Sequence, residues 1–394
     1  MRACSLGWVL LLLGCAPSPQ PETPAPATVD ASPQPPTVVV SSPPAPPAIA
    51  VDPATNPASV PSSPPVAEGD EPPLAPLAHR SSARSVILLR AELPALERLL
   101  AMTPRTSPDW PQIAERVGQG YGELALAETT DGHRDAAKDA HQKAVDNYAS
   151  LAREAPSYRR LDEVLYAMGT EKLALGDRAG ARKAWFELIK NNPRSKLVPH
   201  VYLGFADMFF DEAATEPHKL QLAKQAYREV LKYPPPSNQA WGYASYKLGW
   251  VHFNLGELPE ALAAFQKAVE FGDGNPTIPG ASAIAREARK DLVRAYARAG
   301  RPRTAWNYFQ RVNGSRGDDA RTVAMISRLG EAYLQDGQSL EALELYGDVA
   351  SNHASPNACR ALVVAIPGLQ QAGAAASEVS QLEARVRDGC AGVR

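Results

Sequence analysis

Residues 241–270, WGYASYKLGWVHFNLGELPEALAAFQKAVE, constrain what this chain can fold into more than any other stretch. Leu248 and Gly249 follow Ser245 by three and four residues, Ala261, Phe265 and Ala268 recur at helical spacing, and Gly256 stands between the two halves. The pattern predicts a helix, a tight turn and a second helix. Small side chains at Gly249, Ala261 and Ala268 let the two helices approach closely, and Phe265 fills the space between this pair and the next. One such hairpin cannot bury both of its apolar faces, so copies are required on either side. They are present: Leu165, Gly169, Gly176, Ala181 and Trp185 repeat the order upstream, and Leu203, Gly204, Ala223 and Tyr227 repeat it again, with about seven extra residues in the turn around 211–218. Downstream, Leu292, Gly300, Ala305 and Phe309 form a fourth copy, and Leu329, Gly330, Gly337, Ala342 and Tyr346 a fifth.

The order Leu-Gly, Gly, Ala, aromatic, Ala resembles the tetratricopeptide repeat, a helix-hairpin unit of about 34 residues. The packing alanine recurs at 181, 223, 261, 305 and 342, steps of 42, 38, 44 and 37 that place the surplus in turns. With a longer, divergent first hairpin from about Trp110 to Ala155 and a last one over 357–389, broken near Gly373 with Pro367 kinking its first helix, about seven hairpins fill 110–394. The resemblance implies an all-α, right-handed superhelical solenoid. A further helical segment occupies 81–109, with Leu89, Leu93, Leu96 and Leu100 on one face and Pro94 in its opening turn.

The N-terminal part is of a different kind. Residues 1–14 pair Arg2 with an apolar run too short to span a membrane, which reads as a signal peptide. Leu12-Leu13-Gly14-Cys15 resembles the lipobox of bacterial lipoproteins, which implies cleavage before Cys15 and a diacylglycerol on its sulfur. By the same analogy Ala16, in place of an aspartate, favours the outer membrane. The alternative is an ordinary secretory signal that contains a cysteine. Twenty of the 37 prolines lie between Pro17 and Pro76, so residues 15–80 read as a disordered, lipid-anchored linker, extending up to about 200 Å as polyproline.

Charge and motif content exclude several function classes. Residues 81–394 carry 39 Lys and Arg against 37 Asp and Glu, a net of +2 that gives little steering towards nucleic acid. The seven histidines stand outside any HExxH or cysteine-paired metal spacing, so no metal or other cofactor is expected. His252 replaces the tyrosine usual at its repeat position and reads as a packed core histidine. Gly118, Gly120 and Gly122 follow no strand and serve helix packing rather than a phosphate loop. No catalytic residues, and no small-molecule substrate, are expected.

One constellation stands out. Tyr243, Tyr246, Trp250 and Phe253 share the helix face that lines the concave groove of such an array, and Val201, Phe205, Met208 and Phe209 occupy the equivalent face one repeat earlier. One repeat later Lys290, Arg294 and Arg298 stand there at four-residue spacing. An aromatic floor passing into a basic rim suits a peptide with apolar anchors and an acidic end. Two alternatives stay open: the aromatics pack against the neighbouring repeat, and the basic residues are a solvated face.

The stretch KAWFELIKNNPRSKLVP resembles periplasmic helical-repeat proteins that coordinate Tol-Pal function and the helical-repeat lipoproteins of the β-barrel assembly machine, while VLKYPPPSNQAWGYASYKLGWVHFNLGELPEAL is similar to tetratricopeptide lipoproteins of myxobacteria, including gliding-associated ones. These resemblances imply an outer-membrane-anchored periplasmic scaffold whose partner is another envelope protein or peptide. An envelope enzyme and a passive spacer are the competing classes. Finally, if the last hairpin turns near Gly373, facing residues have numbers summing to about 747, and those of Cys359 and Cys390 sum to 749, which predicts a disulfide in an oxidising compartment. Two separate buried thiols are the alternative.

Overall fold

The computed structural model describes residues 84–314 and 319–392. The signal segment, Cys15 and the proline-rich linker lie outside the described residues. Among the described residues all regular structure is helical, in fifteen α-helices and one short 3₁₀ turn. A lone helix α1 (Val86–Met102) precedes seven hairpins. These are α2 (Trp110–Thr130) with α3 (Arg134–Glu154), α4 (Leu161–Ala174) with α5 (Arg178–Asn191), and α6 (Val198–Glu212) with α7 (Lys219–Leu231). After them come α8 (Trp241–Asn254) with α9 (Leu258–Gly274), α10 (Ala281–Ala299) with α11 (Ala305–Val312), α12 (Asp319–Gln335) with α13 (Ser339–Asn352), and α14 (Pro356–Gln371) with α15 (Ala376–Cys390). The expected all-α repeat array is the observed one. Helices pack against their near neighbours in sequence, and no described helix is long and apolar enough to cross a membrane.

The turns follow from backbone chemistry. Gly176, Gly256 and Gly337 adopt φ of +81°, +74° and +73°, the left-handed region that glycine enters without a Cβ penalty. The residue after each glycine donates its N–H to a carbonyl five residues back: Asp177 to Lys172 at 2.9 Å, Glu257 to His252 at 2.9 Å and Gln338 to Tyr333 at 2.7 Å. This satisfies a helix-terminal carbonyl and reverses the chain. Gly300 departs from the scheme, with φ of −86° and ψ of 174°. Pro302 explains the departure, because it biases Arg301 towards an extended backbone and opens the 3₁₀ turn Pro302–Thr304. The Tyr296 hydroxyl closes the corner on the Arg301 carbonyl at 3.0 Å.

Within hairpins an aromatic of the second helix lies on a glycine of the first. Phe265 covers Gly249, where a Cβ would fall 2.6 Å from the ring, and Trp185 on Gly169 and Tyr346 on Gly330 are closer still. Trp185 also covers Gly204 on α6 and donates its indole N–H to the Tyr166 carbonyl at 3.0 Å, so one side chain ties α4, α5 and α6 together. Two apolar cores result, one running from Leu89 to Met208 and the other from Leu203 to Val386. They share α6 as a common wall, since Tyr202 and Phe205 pack against both.

The N-terminal helix corrects one expectation. Pro94 lies in the middle of α1 rather than in its opening turn. The helix starts earlier because the Ser85 hydroxyl accepts from the Leu88 N–H and because Leu89, one turn before Pro94, buries against the first hairpin with Leu93. Pro367 likewise lies inside α14. At the other end of the array Cys359 and Cys390 are joined, with Cα atoms 5.9 Å apart, so α14 and α15 are stapled where the hairpin opens.

Two outcomes follow. Gly249→Ala should lower the midpoint of thermal unfolding and destabilise the array by about 1–3 kcal/mol, as overpacking does, while an exposed control such as Lys267→Ala leaves it unchanged. Reduction of Cys359–Cys390, which closes a loop of 31 residues, should lower stability to chemical denaturation by up to about 3–4 kcal/mol, and alkylation of the unreduced, denatured protein should label neither cysteine.

Candidate functional site: the face shared by α6, α8 and α10

Burial divides the expected groove aromatics. Tyr243 and Tyr246 on α8 are half-buried, but Trp250 and Phe253 are only 2 % and 5 % exposed. The open aromatic floor expected from the sequence is therefore not present at Trp250 and Phe253. The reason is the next repeat: α10 packs against α8, and its arginines lie over the rings, Arg294 with its guanidinium carbon 5.6 Å from the Trp250 ring centre and Arg298 4.6 Å from that of Phe253. Beneath them the rings form a closed cluster, Trp250 meeting Phe253 edge-on at 5.5 Å and Phe265 at 6.0 Å. One repeat earlier Phe205 is half-buried and meets Trp185 edge-on at 5.9 Å, and Phe209 is half-buried beneath the Lys219 ammonium at 5.8 Å.

A carboxylate that the sequence reading passed over organises this seam. Asp291 on α10 accepts from the Tyr246 hydroxyl at 2.7 Å and from the Trp250 indole N–H at 3.1 Å, both through the same oxygen. Burial raises the Asp291 pKa, opposed by those two hydrogen bonds and by the nearby Arg294 charge. The Tyr246 hydroxyl is pushed far up, first by burial and then by the Asp291 charge, so it remains a donor. Asp291 thus fixes Tyr246 and Trp250 on α8, the second of them the ring over which Arg294 lies.

The α6–α8 seam is built similarly. Asp207 on α6 accepts from the Tyr227 hydroxyl, and Lys247 on α8, 8 % exposed, holds its ammonium 4.2 Å over the Phe210 ring. Burial pushes the Asp207 pKa up to about 6, against the Lys247 charge, which lowers it. Part of Asp207 still reaches solvent, while its carboxylate is enclosed by the surrounding packing. Lys247 and Asp291 each stand immediately before the repeat leucine, Leu248 and Leu292, at the position where α6 carries Tyr202. The fifth copy carries the exposed Arg328 there, before Leu329, so a charge at that position does not by itself mark a buried seam group. His252, 4 % exposed, is a core residue whose Nδ1 lies 2.5 Å from Glu257.

The three basic residues are not equivalent. Lys290 pairs with Glu287 at 2.8 Å on its own helix. Arg294 and Arg298 are exposed, and no carboxylate among the described residues lies within ion-pair distance of either guanidinium. The rings hold one face of each guanidinium and leave its N–H edge open, a geometry that accepts the two oxygens of a carboxylate. Among the described residues no three His, Cys, Asp or Glu side chains gather as metal ligands.

The family comparison agrees with this architecture over part of the array. Residues 218–276, spanning α7 to α9, match the tetratricopeptide repeat family. No curated protein matches the chain. Among solved structures the chain is similar to BtubC (BKLC) from P. vanneervenii, at 13 % identity over 80 % of this chain and 94 % of that one, with a TM-score of 0.37. It is also similar to the TPR2AB domain of yeast Sti1, solved as a complex with pHSP90, at 14 % identity over 76 % of this chain and 98 % of that one, with a TM-score of 0.19. Over α7 to α9 the chain is thus similar to tetratricopeptide repeats, the hairpin unit that also recurs on either side.

Proposed function

We propose that the protein is a non-catalytic scaffold that binds an extended segment of another cell-envelope protein along the face shared by α6, α8 and α10. The observation that carries this reading is the pair Arg294 and Arg298, exposed, held on the rings of Trp250 and Phe253, and with no carboxylate partner among the described residues. Beside them the half-buried Tyr243, Phe205 and Phe209 supply apolar surface for an anchor. The repeat match over 218–276 supports a protein-interaction role. The lipobox-like Leu12-Leu13-Gly14-Cys15 supports attachment through Cys15 to the outer membrane, with the array on its periplasmic face. Two lipid chains or more on that cysteine suffice for stable anchoring.

The burial of Trp250 decides how the groove is tested. Trp250→Ala removes a core aromatic and should destabilise the array by about 3–5 kcal/mol, so loss of binding in that variant says nothing about the groove. Arg294→Gln with Arg298→Gln leaves the core intact. A photo-crosslinker at Tyr243 in intact envelopes should give a defined adduct by mass spectrometry that disappears in the double-arginine variant, while a crosslinker at the exposed Lys267 on α9 gives none. The same adduct from both positions, or one that persists without the arginines, would sink the groove reading. For the anchor, Cys15→Ser should move the protein from the membrane fraction to the soluble periplasmic fraction, and the wild type should carry acyl mass on its N-terminal peptide.

A further inference from the structure

The outer face of α5 carries charge that the packing of the array does not use. Lys183, Phe186 and Lys190 stand at i, i+3 and i+7 and share one side of the helix, while Ala181, Ala184, Trp185 and Leu188 are buried on the other. Arg194 and Lys196 follow in the turn that leads into α6. That turn is held in place: the Ser195 hydroxyl donates to Asp162 on α4 at 2.6 Å and accepts from the Leu197 N–H at 3.0 Å. Lys183, Lys190, Arg194 and Lys196 are all exposed, and none of them pairs with a carboxylate among the described residues. Carboxylates on the neighbouring helices are engaged elsewhere, Glu163 with Arg160 and Glu212 with Arg182. Glu187, the one acidic residue between 183 and 196, is half-buried.

Phe186 shows what kind of partner this face fits. Its ring is 43 % exposed and stands one turn from each lysine, on the solvent side of α5. An acidic polypeptide would neutralise the cations but has no need of an apolar ring between them. An anionic phospholipid surface uses both, because its phosphodiester groups lie where the long basic side chains reach, and the ring enters the apolar boundary just beneath them. We propose that the outer face of α5 and the turn after it dock on an anionic phospholipid bilayer, with Lys183, Lys190, Arg194 and Lys196 on the headgroup phosphates and Phe186 between them. Each cation held at such a surface strengthens binding about fivefold. The docking surface lies on the second helix of its hairpin, whereas the groove residues lie on the first helices α6, α8 and α10, so the two surfaces share no residue. It acts independently of any acyl group on Cys15.

The test uses the purified full chain carrying Cys15→Ser, so that no acyl chain contributes, and measures co-sedimentation with vesicles at about 50 mM salt, where surface charges are weakly screened. Vesicles of phosphatidylglycerol and phosphatidylcholine in equal parts should be bound at least about tenfold more tightly than vesicles of phosphatidylcholine alone. Adding Lys183→Gln, Lys190→Gln, Arg194→Gln and Lys196→Gln together should weaken binding to the anionic vesicles by about a hundredfold or more, with helicity unchanged by circular dichroism. Phe186→Ala should weaken it about fivefold, and Phe186→Trp should retain it. Arg294→Gln with Arg298→Gln should leave it unchanged. Equal binding to both kinds of vesicle, binding that survives loss of the four α5 cations, or binding lost with Arg294 and Arg298 would overturn the proposal. Loss in the four-cation variant with no effect of Phe186→Ala, together with equally tight capture of poly-glutamate, would assign the face to an acidic protein and overturn the membrane reading.

Discussion

The array depends on an aromatic ring lying on a backbone that has no side chain to keep it away. In three hairpins the separation is the same, sixteen residues from Gly169 to Trp185, from Gly249 to Phe265 and from Gly330 to Tyr346. That separation is set by the length of the first helix after the glycine, the turn, and the first half of the second helix. The ring then fills the gap between two helices at close approach, and large rings bury more apolar area than any other side chain at one position. Trp185 extends the same device across a repeat boundary by covering Gly169 and Gly204 together. Stacking and hairpin closure are therefore one interaction there, which is why the two cores meet on α6 without a gap.

Polar groups at the seams between repeats complement this packing. A buried carboxylate without partners is expensive, but Asp291 has two hydrogen-bond donors from α8 and a cation beside it, and Asp207 has Tyr227 and Lys247. Apolar faces alone allow a helix to slide by a turn against its neighbour. A carboxylate that must meet one hydroxyl and one indole fixes the register of α10 on α8 as apolar contact cannot. The aromatic rings are consequently held in the positions at which the two arginines lie over them.

Much of the fold was legible because each hairpin repeats its small and aromatic residues in one order. Gly256 and Phe265 announce a turn and a packing position irrespective of what surrounds them, so hairpins could be placed by local pattern. Gly300 shows the limit: it stands where the turn glycine belongs, but Pro302 dictates another backbone, and the order of residues alone does not say which rule prevails. Pro94 shows another, since burial of Leu89 against the first hairpin extends α1 in spite of the proline. The candidate site was less legible. Helical period puts Tyr243, Tyr246, Trp250 and Phe253 on one face, yet period cannot tell whether that face meets solvent or another helix. The decision lay with α10, whose Asp291 draws it onto α8, and a single aspartate before a leucine carries a weak signal in one sequence.

The covering of Trp250 and Phe253 changes what kind of recognition this face can perform. An open aromatic floor would bind by apolar burial and discriminate little among ligands with large side chains. Rings that carry a guanidinium on their faces present charge instead, and the ring restricts the orientation of the N–H groups. Exposed ion pairs are weak when the partners must be ordered on association, and much of that ordering has already taken place here. Recognition at α10 then rests on the spacing of two fixed donors, which reads the separation of two carboxylates rather than the size of a side chain. Half-buried Tyr243, Phe205 and Phe209 remain for apolar contact beside them, so the two parts of the face ask different things of one ligand: charge at a set interval, and an apolar group within reach of α6.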